Sequence, residues 1–382
     1  MLKKSLLFIA LLFVGFFCYY FSLTTVKKNR VKRVALHTLG VLESDWEVTT
    51  TEKNNKFSTT FKSPTLFVDD IYTSMQGPYS FKRFKLNENE DELYWITKFQ
   101  GKANSKFDSQ NISNDFICHV NLYHSDVEHF ARMGLEERIN IQESQLITLT
   151  KGTLSVEFPK GFGYPIYSNE KFLVGSQALN LNKKNEQFKV NYSFKMDYYK
   201  NKNKRLKPLY MRYVVLAMPY KEGEETLETS TKDEDNLFVL CAGPSSNRRF
   251  KVENEKGEKF TGFWKVPKGE YTYVNNISNT LNLKQIETVH LINAHVHPYA
   301  ESIELKDATT NTTIFKSIIT NSKDKKGIEE ISEFSSVDGV KLFPSHQYNL
   351  ILKVNNTTNQ EIDMMGSMFL YFYDKKLDKK MN

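Results

Sequence analysis

Cysteine is scarce in this chain, with three residues in 382. Three thiols cannot build a disulfide framework. Cys18 falls in an apolar run, which leaves Cys118 and Cys241 as the only candidate bridge. A Walker loop, a dinucleotide fingerprint and any fixed-period repeat are all missing, so phosphate-cradling folds and solenoids are set aside. No arginine-rich stripe interleaved with aromatics occurs. The net charge of +7 comes largely from the two ends and scattered lysines, so nucleic acid is not an expected partner. Helical periodicity is sparse too, residues 129–141 being the main candidate.

What the chain has in quantity is aromatic side chains: 20 tyrosines and 28 phenylalanines, which favour strands over helices. From about residue 59, short apolar stretches alternate with Asn, Gly, Ser and Lys clusters, as in Leu93-Tyr-Trp-Ile-Thr97 and Phe188-Lys-Val-Asn-Tyr-Ser-Phe194. That spacing suits a sandwich or jelly roll. Residues 222–235, rich in Glu, Thr and Lys, look like a solvated linker. A second set of strands opens at Leu237-Phe-Val-Leu-Cys241. The expected division is therefore a first sandwich over 59–228 and a second over 229–382.

At the amino terminus, residues 6–23 form an uncharged apolar run of 18, just long enough to cross a bilayer. Tyr19-Tyr-Phe-Ser-Leu-Thr-Thr25, at the end of that run, has no small-residue cleavage pattern, and Phe16 and Phe17 stand where a lipoprotein signal wants small residues. An uncleaved anchor over 1–25, followed by a juxtamembrane segment over 26–58, is the expectation. Lys27, Lys28, Arg30, Lys32 and Arg33 follow the run and, taken literally, would keep the body in the cytoplasm. The β-rich body behind a signal-like start argues instead for export, and export is the reading adopted.

The stretch with the most chemistry is Leu291-Ile-Asn-Ala-His-Val-His-Pro298. Alternation in a strand sends His295 and His297 to the same face, roughly 7 Å apart along the chain, a bite that suits one metal ion. Pro298 removes a donor and ends the strand, so the pair stands at a rim. Solvated strand histidines are the competing reading. A third ligand is best sought in Ile362-Asp-Met-Met-Gly-Ser-Met-Phe-Leu-Tyr-Phe372, and two imidazoles with a thioether point to copper.

The order of landmarks resembles the copper type II, ascorbate-dependent monooxygenases, the group of peptidylglycine α-hydroxylating monooxygenase and dopamine β-monooxygenase. Phe116-Ile-Cys-His-Val-Asn-Leu-Tyr123 sits where that family has two adjacent histidines. Lys171-Phe-Leu-Val-Gly-Ser-Gln-Ala-Leu-Asn180 resembles the strand supplying a third. His295-Val-His297 matches the family's His-x-His, and residues 362–372 resemble its closing methionine strand. The resemblance implies an all-β chain of two tandem antiparallel jelly-roll sandwiches, here behind an N-terminal membrane-spanning helix, each sandwich presenting one copper to the other. Aligning Phe369-Leu-Tyr-Phe372 puts Met364 at the ligand position. Met368 shares its face and Met365 points the other way. The first site departs from the family: Cys118 replaces one histidine, His119 keeps the second, and Leu179 stands where the third belongs. Cys118 with His119 remains a weak second metal site only if a bulge lets the two converge.

Glu301 is placed to fix the tautomer of a ligand histidine, or else is a surface carboxylate. His290 has the wrong parity, and His124, His129 and His346 look solvated. The resemblance implies one copper ion, an external reductant such as ascorbate, and hydroxylation of an unidentified small-molecule or peptide substrate. A non-catalytic copper-binding or surface interaction module is the alternative. A glycan-cleaving amidase on similar paired jelly rolls finds no motif here.

Overall fold

The computed structural model describes residues 2–72, 74–104, 113–139, 141, 142, 144–219, 251–253 and 257–381. The chain is predominantly strand, as its aromatic and β-branched stretches lead one to expect. Among the described residues, an 11-stranded sheet runs through the whole molecule. Its order is Glu47–Lys53, Lys56–Lys62, Phe188–Lys200, Leu93–Asn104, Phe162–Tyr167, Lys207–Val215, Gly366–Tyr373, Glu287–Val296 and Phe334–Leu342, with two short strands alongside. Pairing along it is antiparallel except at one joint, where Lys207 and Pro208 lie parallel to Phe162 and Gly163.

A four-stranded sheet (Tyr79–Phe84, Phe172–Ala178, Ile117–His124, Gln145–Leu149) packs on the first half of the long sheet around Phe61, Phe99, Val120, Leu122 and Phe194. A five-stranded sheet running from Gly269–Asn276 to Ile328–Ile331 packs on the second half around Val214, Ile292, Ile303, Leu352 and Leu370. The result is two β-sandwiches sharing one sheet. In the second half that sheet is covered on both faces: Ile292 and Leu370 enter its own core, while Leu291 and Tyr371 join the core of the first half. Double coverage explains why Phe369-Leu-Tyr-Phe372 is uniformly apolar instead of alternating.

Several expectations change. Strand Lys207–Val215, drawn with the first unit, pairs along its length with Gly366–Tyr373 of the second. Residues 228 and 237–241 lie outside the described residues. The supposed juxtamembrane segment holds helix α2 (Thr25–Thr38) and the hairpin Glu47–Lys53/Lys56–Lys62, turned at Asn54 and Asn55 with φ of 53° and 61°. Helix α2 docks through polar contacts, Asn29 Nδ2 donating to the Gln76 carbonyl at 2.9 Å and Lys32 pairing with Asp69 at 2.8 Å. The helical candidate at 129–141 is α3 (Asp126–Arg132) followed by the 3₁₀ turn Glu136–Arg138. Helix α1 (Leu2–Ser22) exposes Phe8, Leu11 and Phe13. Among the described residues, however, no helix is long and apolar enough to cross a membrane, so the expected span over 1–25 finds no support here. Cys18 and Cys118 are free thiols, and Cys241 lies outside the described residues.

Candidate metal centre

His295 lies in strand Glu287–Val296 directly opposite Ser367, while its neighbour Val296 lies opposite Gly366 and enters the second core. Alternation therefore turns His295 toward the first half. His297 follows just past the strand end, and the two rings stand 5.6 Å apart between centres at 78°. An ion bound to both would sit roughly 3.2 Å from each ring centre, so this separation fits one shared ion. Both side chains are buried, at 6% and 5% exposure.

Among the described residues, neither ring nitrogen of His295 has a hydrogen-bond partner, and neither does Nε2 of His297. Leaving buried polar atoms unmatched costs about 1–3 kcal/mol each, which a metal would offset for one nitrogen of each ring. His297 Nδ1 lies 3.3 Å from the Asp363 carbonyl. A carbonyl can only accept, so Nδ1 carries the proton and Nε2 keeps its lone pair. Burial, then the charges of His297 and His119, hold His295 well below the usual histidine range. Burial lowers His297 to about 4 against the opposing pull of Asp363. Both are neutral at pH 7, the form that ligates.

The methionines sort differently from the expectation. Met364 and Met368 lie in the second core. A side chain on Gly366 would run into Leu216 and Leu352 of that core. Positions 364, 366 and 368 thus share the face away from His295, and Met365 shares the face of Ser367 and His295. Met365 is buried as well. Parity alone therefore puts Met365 on the histidine side, and Met364 is corrected to a core residue.

Ile117, Cys118 and Leu179 from the first half and His295, His297 and Asp363 from the second line one cleft, a cavity of about 60 Å³. That is room for a few waters or a small ligand. A register shift sets Ile117 and His119 against Ala178 and Gln177, which places a bulge at Cys118. The bulge is the feature the Cys118/His119 site required, yet burial pushes the Cys118 thiol up to about 11, away from the thiolate that binds metal. Leu179 offers no ligand.

Next to the cleft residues Ser74 and Pro298 stand two residues in the left-handed region: Met75 at φ 69°, bonded to Cys118 through its backbone, and Tyr299 at φ 76°, two residues after His297. Such residues cost about 1–3 kcal/mol and cluster at functional sites. Lys326 also lines the cleft, half-buried, its pKa lowered by burial. Among the described residues its ammonium makes no ion pair, since nearby Asp363 is bound by Lys265. Asp363 and Lys326 went unnoticed in the sequence because neither lies in a recognisable motif.

Glu301 does not support the histidines. A register shift between Ala300 and Ser302 turns it outward, exposed, where Asn355 Nδ2 reaches it at 3.3 Å. The Asp363 carbonyl takes the role assigned to it. His290 stacks on Phe162 at 4.1 Å, clear of the cleft, and His346 pairs with Asp307 at 2.5 Å. His124 and His129, expected in solvent, are buried, and with Glu170 they bring their ligand atoms within 4.8 Å of one another.

No family model matches this sequence, and no curated protein does. Among solved structures, the major capsid protein P2 of bacteriophage PM2 overlaps 82% of this chain and 97% of its own at 8% identity and a TM-score of 0.29. A structure of PNGF-II overlaps 85% of this chain and 64% of its own at 8% identity and a TM-score of 0.31. Overlaps this loose carry no argument about fold or function.

Proposed function

We propose that this chain is a copper-binding protein with one metal centre, held in the cleft by His295, His297 and Met365, and that it serves oxygen-activating hydroxylation fed by an external reductant such as ascorbate. The observation that carries the reading is the set of three unmatched imidazole nitrogens buried on a cleft wall. Two imidazoles with a weak thioether favour copper, which supplies one-electron oxidation–reduction and oxygen activation when bound.

The chain's own groups do the rest. The Asp363 carbonyl orients His297, the buried walls limit water, and Lys326 presents a cation to an anionic group of a ligand. Because Cys118, His119 and Leu179 do not make a second copper site, the second electron has to come from outside. We also propose that the jelly-roll body is exported and tethered by α1, whose exposed Phe8, Leu11 and Phe13 suit lipid contact.

Two nitrogens bound to copper(II) give a hyperfine pattern in electron paramagnetic resonance, and its absence sinks the site. Ascorbate-dependent oxygen uptake by the copper-loaded chain, abolished in His295→Ala, supports an enzyme. Copper binding without uptake supports the second reading, a non-catalytic copper-binding or interaction module, which the incomplete first site favours.

A further inference from the structure

The first sandwich holds a second cluster, independent of the cleft. His124 ends strand Ile117–His124, His129 lies in α3, and Glu170 sits in the turn before Phe172–Ala178. The strand pairing sets Phe172 opposite His124, which brings that turn to the end of the histidine strand. All three side chains are buried, Glu170 at 0% exposure. His129 Nδ1 lies 2.8 Å from Glu170 Oε1, and the Tyr167 amide donates to Glu170 Oε2 at 3.3 Å. The two imidazoles stack at 4.1 Å. His124 Nε2 meets the Tyr164 hydroxyl at 3.0 Å, while its Nδ1 is buried beside the Ser125 backbone and, among the described residues, makes no hydrogen bond of good geometry.

We propose that His124, His129 and Glu170 form a buried zinc site. Each outer contact is of the kind that orients a ligand. Tyr164 accepts from Nε2–H of His124 and leaves the Nδ1 lone pair for the ion, and the Tyr167 amide holds the carboxylate. The ion satisfies the unmatched nitrogen and gives the fully buried carboxylate a counter-charge. Two nitrogens and one oxygen suit zinc, with a fourth position for water. Binding opens the stacked rings by about 1 Å toward tetrahedral geometry. The site pins α3 to the sheet. The segment after α3 in turn grips the carboxy-terminal helix Lys375–Met381, through Arg138 on Asp374 at 2.5 Å and Lys376 on Glu137 at 2.5 Å.

The test uses the full chain carrying His295→Ala and His297→Ala, which removes the cleft site and separates the two proposals. Refolded with zinc chloride and passed through a desalting column, it should retain one zinc per chain and melt higher than the chelator-treated protein. Adding Glu170→Gln should abolish both effects. Cobalt(II) in place of zinc should give the visible absorption of a four-coordinate ion, a readout that needs no change to the three ligands. Failure to retain zinc, zinc retained undiminished with Glu170→Gln, or a six-coordinate cobalt spectrum overturns the site.

Discussion

His295 and Ser367 stand directly opposite one another across the antiparallel pair of Glu287–Val296 and Gly366–Tyr373. Directly paired residues share a face, so counting two residues back along the partner strand leads to Met365 and not Met364. Met365→Leu should lower copper(I) affinity by about tenfold or more, the scale seen when groups around a metal are lost. Met364→Leu should leave affinity unchanged and cost under about 1.5 kcal/mol of stability, as volume-conserving core swaps do. Competition titration against a copper(I) chelator measures both, and the reverse ranking would restore Met364.

The cleft histidines make the metal-free protein acid-sensitive. His297 titrates near 6.5 when unfolded and at about 4 when folded, because burial disfavours its charged form. Between these values the unfolded chain binds the extra proton, so stability is intact above pH 6.5 and falls as pH drops toward 4. A depression of this size corresponds to about 3 kcal/mol. Urea midpoints of the metal-free chain should therefore fall across that window, and His297→Gln should flatten the slope. Equal slopes in the two proteins would mean that His297 is not buried neutral.

Asp374 ties the end of the long sheet to the first half. It pairs with Arg138 at 2.5 Å and accepts from the Leu377 amide at 3.0 Å at the start of the carboxy-terminal helix. Asp374→Ala strands a largely buried guanidinium and removes a cap, so a loss of about 3–5 kcal/mol is expected in urea unfolding. A loss below ~1 kcal/mol would show that solvent reaches Arg138 freely.

The sequence makes some of this legible and hides the rest for identifiable reasons. The i, i+2 spacing of His295 and His297 is a local rule, and the strand keeps it. Cys118 and Leu179 line the same cleft as His295, a placement that no local spacing contains. The methionine assignment failed because it turns on register against another strand, which spacing within 362–372 does not contain. Glu301 was misplaced by a bulge, an inserted residue that parity counting does not foresee. His124 and His129 were read as solvated because their partner, Glu170, lies 41 residues beyond His129. Polar residues in α2 gave no hydrophobic stripe, so that helix, held by Asn29 and Lys32, went unseen.

In the proposed site His295 and His297 hold one copper between the sandwiches. Copper content after anaerobic loading, measured on the zinc-saturated full chain and on its His295→Ala/His297→Ala variant, tests it most directly. The wild-type chain should carry one copper ion more than the variant. Equal copper in the two proteins would contradict it.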